Sequence, residues 1–107
     1  MDIDWGDGSA VETLTVSAGA RFFSTTHQYL DDNAADQYTI TVQIRDDDGG
    51  ISEAKTTSVV VKNVPPAITT ITPVAMINEN QFATLELKFI DPGTLDSHEV
   101  DVDWGDG

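Results

Sequence analysis

The chain contains no cysteine, so neither a disulfide framework nor a thiolate metal site can support it, and its redox compartment is left open. Basic residues are scarce: five Lys and Arg stand against nineteen Asp and Glu, for a formal charge of −14. That balance excludes nucleic acid and anionic membrane as natural partners, because both are held through Lys and Arg, and it favours cations. Two histidines are too few for a self-contained zinc site. No run approaches the roughly 18 apolar residues of a membrane helix, no signal peptide opens the chain, and no segment carries a helical apolar stripe.

What is present is a repetition. Residues 2–8 read DIDWGDG and residues 101–107 read DVDWGDG, so the motif recurs 99 positions on, from Asp2 to Asp101. Self-similarity at a fixed period marks an array of like modules. The 107 residues hold one period plus a short overlap, as if cut inside a repeat unit. Met1 stands where the second copy has Val100, so the start reads as an initiator set within a longer sequence.

Alternation with period two runs through the chain. Tyr38, Ile40, Val42 and Ile44 alternate with Thr39, Thr41, Gln43 and Arg45. Leu85, Leu87 and Phe89 alternate with Glu86 and Lys88, and Val100, Val102 and Trp104 with Asp101 and Asp103. Turn chemistry separates these runs at Gly6-Asp7-Gly8-Ser9, Ser17 to Ala20, Asp46 to Gly50 and Asn63-Val64-Pro65-Pro66. Strands are expected near residues 2–5, 11–16, 21–28, 37–45, 52–62, 67–72, 82–90 and 98–104. Short Val-, Ile- and Thr-rich strands without intervening helices, in a chain that is 39% hydrophobic, predict an all-β antiparallel sandwich.

The segments WGDGS, THQYLDD, QYTITVQIRDDDGG and VVVKNVPP together resemble the PKD repeat, an immunoglobulin-like β-sandwich marked by a WDFGDG-type turn, an HxY and a YTVTLTVxDxxG strand. The resemblance covers the whole chain in permuted order. It implies that residues 1–63 are the C-terminal half of one repeat and residues 64–107 the N-terminal half of the next. Asp36 departs from the pattern, since the family commonly has Gly two residues before the Tyr that opens the strand, here Tyr38. A wider similarity is to long bacterial surface adhesins and RTX-type secreted proteins, where such repeats run in tandem as extracellular spacers.

Threading that strand order gathers carboxylates at both ends of the sandwich. Asp91 and Asp96 from one loop would meet Asp46 and Asp48 from a hairpin at the top. Glu79, Asn63, Asp31 and Asp32 would form half a site at the bottom, completed by the next module in the manner of cadherin linkers. Calcium takes six to eight oxygen ligands of these kinds. Carboxylates about 4 Å apart repel by about 1 kcal/mol even in water, so clustered acids at a junction favour a bound cation or a splayed joint. The alternative is that they are solvated turn formers, the reading favoured for Asp7 between its two glycines.

Trp5 and Trp104 alternate in phase with Ile3 and Val102, which predicts core positions rather than a carbohydrate platform. His27 and Tyr29, matching the HxY, read as a buried hydrogen-bonded pair, and His98 as a weak ligand candidate. No nucleophile motif or selected carboxylate pair indicates an enzyme.

The four-residue link between Lys62 and Ala67 reaches at most about 14 Å, whereas a nine-residue strand is about 30 Å long. It cannot double back along a sandwich, so the two halves are expected to complete one another between molecules by strand exchange, as a filament or a closed dimer. A rearranged monomer using the duplicated strand is the alternative. The expected function is a calcium-binding structural extender of an extracellular adhesin whose partners are neighbouring copies, with an accessory polymer-binding module of a secreted hydrolase as the other possibility.

Overall fold

A computed structural model describes residues 1–107 as strands, turns and loops, with no helix. The chain divides into two compact units, Met1–Asn63 and Val64–Gly107. It is all-β, with one antiparallel sheet in each unit. No helix is long and apolar enough to cross a membrane.

Unit 1 contains β1 (Asp2–Asp4), β2 (Glu12–Thr13), β3 (Gln37–Gln43) and β4 (Lys55–Val60), hydrogen-bonded in the order β2-β1-β3-β4. The QYTITVQ alternation of β3 makes it the spine of this sheet, because a strand with period two can turn one face to a core while pairing on both edges. Its register sets Ile3 opposite Val42 and Asp4 opposite Thr41 on one side, and Tyr38 opposite Val59 on the other. An isolated bridge between Arg45 and Ile51 closes the β3–β4 hairpin.

The core is small and lies on one face of β1. Met1, Ile3 and Trp5 are buried, with Leu14, Tyr29, Ile40 and Val42 packed against them in partial burial. Each large apolar side chain removed from water contributes about 1.5–3 kcal/mol, so these three positions carry a large share of the unit's stability. On the opposite face, Arg45 reaches back to Asp2 at 2.8 Å. Asp2 is held below the usual carboxylate range, first by the Thr13 hydroxyl and then by that guanidinium.

Unit 2 contains β5 (Ala67–Ile71) and β6 (Leu87–Ile90), an antiparallel pair whose register shifts between Ile68 and Thr70. No residue of this unit is buried. Phe82 is 97% exposed, Met76 98% and Ile68 66%. Two strands without a covered apolar face are marginal in water.

The strands expected near 11–16, 52–62 and 82–90 contract to β2, β4 and β6. Those expected near 21–28 and 98–104 are not strands. The alternation there is genuine, since Thr25, His27 and Tyr29 are half-buried between exposed neighbours. A ladder also needs a partner at hydrogen-bonding distance, and neither segment has one. Asp36 takes the left-handed conformation, φ +55°, which explains a preference for Gly at such a position. Asn33 holds this turn: its side-chain oxygen accepts from the amides of Ala35 and Gln37, and its side-chain amide donates to the Gln37 carbonyl.

Candidate functional site

The first copy of the repeated motif sits in a fitted slot. The Trp5 indole donates to Glu12 Oε2 at 2.9 Å and stacks on His27, with ring centroids 4.7 Å apart and planes 7° off parallel. The Tyr29 hydroxyl donates to the Trp5 carbonyl at 2.9 Å. Asp4 Oδ1 accepts from the Gly6 amide, which winds the turn that follows β1. Gly6 lies at φ +78° against the Thr39 carbonyl, so close that a Cβ there would collide with backbone.

Asp7 finishes the turn and locks it to the adjoining segment. Its Oδ1 accepts from both the amide and the hydroxyl of Ser9, and its Oδ2 lies 2.6 Å from His27 Nε2. The Ser9 hydroxyl and then the His27 ring lower its pKa to about 2. An ionised Asp7 only accepts, so the imidazole presents its Nε2 proton to it. Burial, then the Asp7 charge, pushes the Tyr29 phenol up. His27 and Tyr29 meet edge to face at 4.8 Å, but each hydrogen-bonds to the motif rather than to the other.

The second copy has the same wound turn and none of the neighbours. Asp103 Oδ1 accepts from the Gly105 amide at 2.8 Å, as Asp4 does from Gly6 at 2.9 Å. Gly105 lies at φ +74° and Gly107 at +83°, matching Gly6 at +78° and Gly8 at +83°. A Cβ added at Gly105 would meet nothing within 4 Å. Trp104 is 58% exposed where Trp5 is 9% exposed, which corrects the expectation that both tryptophans are core residues. The difference follows from company, since residues 98–104 have no strand beside them.

The acidic residues lie in loops at strand ends. Asp46 and Asp48 occupy the β3–β4 hairpin, where Asp46 Oδ1 accepts from the amides of Asp48 and Gly50. Asp31 and Asp32 are half-buried ahead of Asn33. Asp32 is raised by burial and then by the adjacent Asp31 carboxyl. Asn63 is exposed at the end of unit 1, and Glu79 is exposed in the Asn78–Gln81 turn of unit 2. Asp91 and Asp96 converge within their own loop, since a Cβ built on Gly93 would collide with the carboxylate of Asp96 and come within 3.3 Å of Asp91 Oδ1. Asp91 Oδ1 accepts from the Gly93 amide and its Oδ2 lies 2.7 Å from His98, which itself packs against Phe89. Asp91 is lowered by His98 first and by that amide second.

No protein-family model, curated protein or solved structure matches this chain. The donor chemistry of the loops is that of a hard cation, all carboxylate and carbonyl oxygen. The number is short, because a calcium ion needs six to eight oxygens and no one of these turns brings more than three carboxylates. The remainder would come from backbone carbonyls, water or a second molecule.

Sequence reasoning did not find the Asp7–His27 pair or the bond from Trp5 to Glu12. A signal for the first was available: His27 and Tyr29 share a parity, so both point to the face that carries Trp5. Glu12 gave no such signal, because its partner depends on how far β2 slides along β1.

Proposed function

We propose that the chain is a structural module, a PKD-like, immunoglobulin-like β-sandwich repeat that lengthens and stiffens a large extracellular bacterial adhesin. The observation that carries this reading is the DxDWGDG turn, present twice at a 99-residue interval with the same positive φ at both glycines and the same Asp-to-Gly amide bond in both copies. A turn that keeps its geometry where it has no neighbours is a property of the local sequence, as expected of a unit that recurs along an array. On this reading residues 1–63 and 64–107 are complementary halves of successive repeats, and neighbouring copies are the partners.

Calcium is the proposed ligand. Asp91 with Asp96, Asp46 with Asp48, and Asp31 with Asp32, joined by Asn63 and Glu79, supply partial oxygen shells that a neighbouring module would complete. Bound cations would offset part of the −14 charge and stiffen the junctions. Thermal melting of the full chain in calcium and in chelator tests this. Calcium is expected to raise the melting temperature, and Asp91→Asn to reduce that rise. An unchanged melting temperature defeats the calcium assignment.

A second reading, an accessory module that grips an insoluble polymer for a secreted hydrolase, draws on the exposure of Phe22 at 83%, Phe82 at 97% and Trp104 at 58%. Retention of the chain on polysaccharide or collagen particles, lost in Trp104→Ala, would support it over the extender reading.

A further inference from the structure

We propose that residues 100–107 of one molecule dock into the slot that residues 1–8 occupy in another, with Trp104 taking the place of Trp5. The proposal rests on the self-association included in the extender reading and names the element exchanged, its receptor and its register.

The two segments are chemically equivalent where the slot is selective. Asp, Trp, Gly, Asp and Gly recur in the same order, and the apolar positions change only from Met1 to Val100 and from Ile3 to Val102. The contacts that the first copy makes across the slot have counterparts in the second: an indole N–H for Glu12, a ring face for His27, a carboxylate for the His27 Nε2 and a backbone carbonyl for the Tyr29 hydroxyl, while the bonds of Asp7 to Ser9 lie outside the repeated residues. Gly105, like Gly6, can approach the Thr39 carbonyl where any side chain would collide. The second copy is also already wound, with the Asp103–Gly105 bond formed, so little ordering is needed when it docks.

Exposed area favours a second copy as the occupant. The chain exposes 9058 Å², whereas two separately compact units of these sizes would together expose about 7,000 Å². The excess of roughly 2,000 Å² is the size of a standard protein–protein interface. Exchange of one motif copy for the other leaves the slot contacts nearly even. It also brings unit 2, which has no buried residue, against a second molecule. Each contact sets a tail in a slot, so the exchange closes as a reciprocal dimer or ring, or continues as a filament.

The absence of cysteine allows a direct test in the full chain. In the slot Asp4 faces Thr41, so an exchanged tail brings Asp103 opposite Thr41 of another molecule, within the reach of a disulfide between neighbouring strands. Asp103→Cys protein mixed with Thr41→Cys protein is expected to form the mixed disulfide about tenfold faster than with Ser17→Cys protein, whose thiol lies in an exposed turn. Equal rates with the two partners, or disulfides only between two Asp103→Cys tails, would overturn the proposal. Sedimentation of cysteine-free protein supplies a second reading. The mass of the parent chain is expected to rise with concentration while Trp104→Ala stays monomeric, and identical behaviour of the two proteins counts against the exchange. Calcium melting fails or succeeds independently, so loss of the extender reading and loss of the exchange register are separate results.

Discussion

Trp5 and His27 lie ring on ring, 4.7 Å between centroids and 7° from parallel, and that stack joins the motif to a segment that has no ladder of its own. Removing the indole takes away its buried area, its bond to Glu12 and the support of His27 together. Trp5→Ala is expected to cost about 3–5 kcal/mol, read as a lower denaturant midpoint for unit 1. Trp104→Ala, at a half-exposed position, should shift the midpoint of dilute monomeric protein by less than about 1 kcal/mol. Equal losses from the two substitutions would contradict the asymmetry between the copies.

Acid should loosen the same place. Asp7 titrates at about 2 when folded, against 3.8 for an ordinary aspartate, because the Ser9 hydroxyl and the His27 ring bind its charged form. A depressed folded pKa gives stability that is complete above the unfolded value and is lost as pH falls from about 4 to about 2. The carboxylate keeps some solvent contact, so the loss is of order 1 kcal/mol. Melting curves across that range should fall less steeply for Asp7→Asn than for the parent chain, with the variant already weaker at neutral pH.

Glycine substitutions separate a shared backbone requirement from a steric one. Both Gly6 and Gly105 have φ near +75°, so alanine at either costs about 1 kcal/mol of local strain. Only at Gly6 does the added carbon also strike the Thr39 carbonyl. Gly6→Ala should therefore destabilise unit 1 by several kcal/mol in chemical denaturation, while Gly105→Ala leaves it nearly unchanged.

Asp36 invites the opposite change. At φ +55° an aspartate is strained, and the turn is held by Asn33 and by the bond from the Asp36 amide to the Asn33 carbonyl, none of which uses the Asp36 side chain. Asp36→Gly should stabilise unit 1 by about 0.5–1 kcal/mol in thermal melting, the relieved strain exceeding the added freedom of the unfolded chain.

The all-β class was legible in the sequence, and the period-two runs marked β3 and β6, while the equal alternation of Val100, Val102 and Trp104 gave no strand. Strand ends were not legible. Val16 continues the phase of Leu14 beyond its ladder, and pairing stops where the neighbouring backbone turns away, which a single strand does not encode. The fate of Trp104 was hidden for the same reason: in sequence it is indistinguishable from Trp5, and only the company of Glu12, His27 and Tyr29 separates them. The acidic loops were readable as oxygen-rich turns. The carboxylates of Asp46 and Asp91 bind backbone amides within their own loops, a detail set by the loop conformation and not by residue type.

The order β2-β1-β3-β4 puts the first strand in the interior of its sheet, with Asp2 paired to Gln43 about forty residues away. Ladders between such distant stretches form late, over milliseconds to seconds in proteins dominated by them. For that interval the groove between β2 and β3 is open, and either version of the motif has the chemistry to fill it. Under the exchange proposed above, which molecule's motif does so becomes a race between an intramolecular encounter and a bimolecular one, to be decided by protein concentration during refolding and preserved afterwards by the slowness of unfolding.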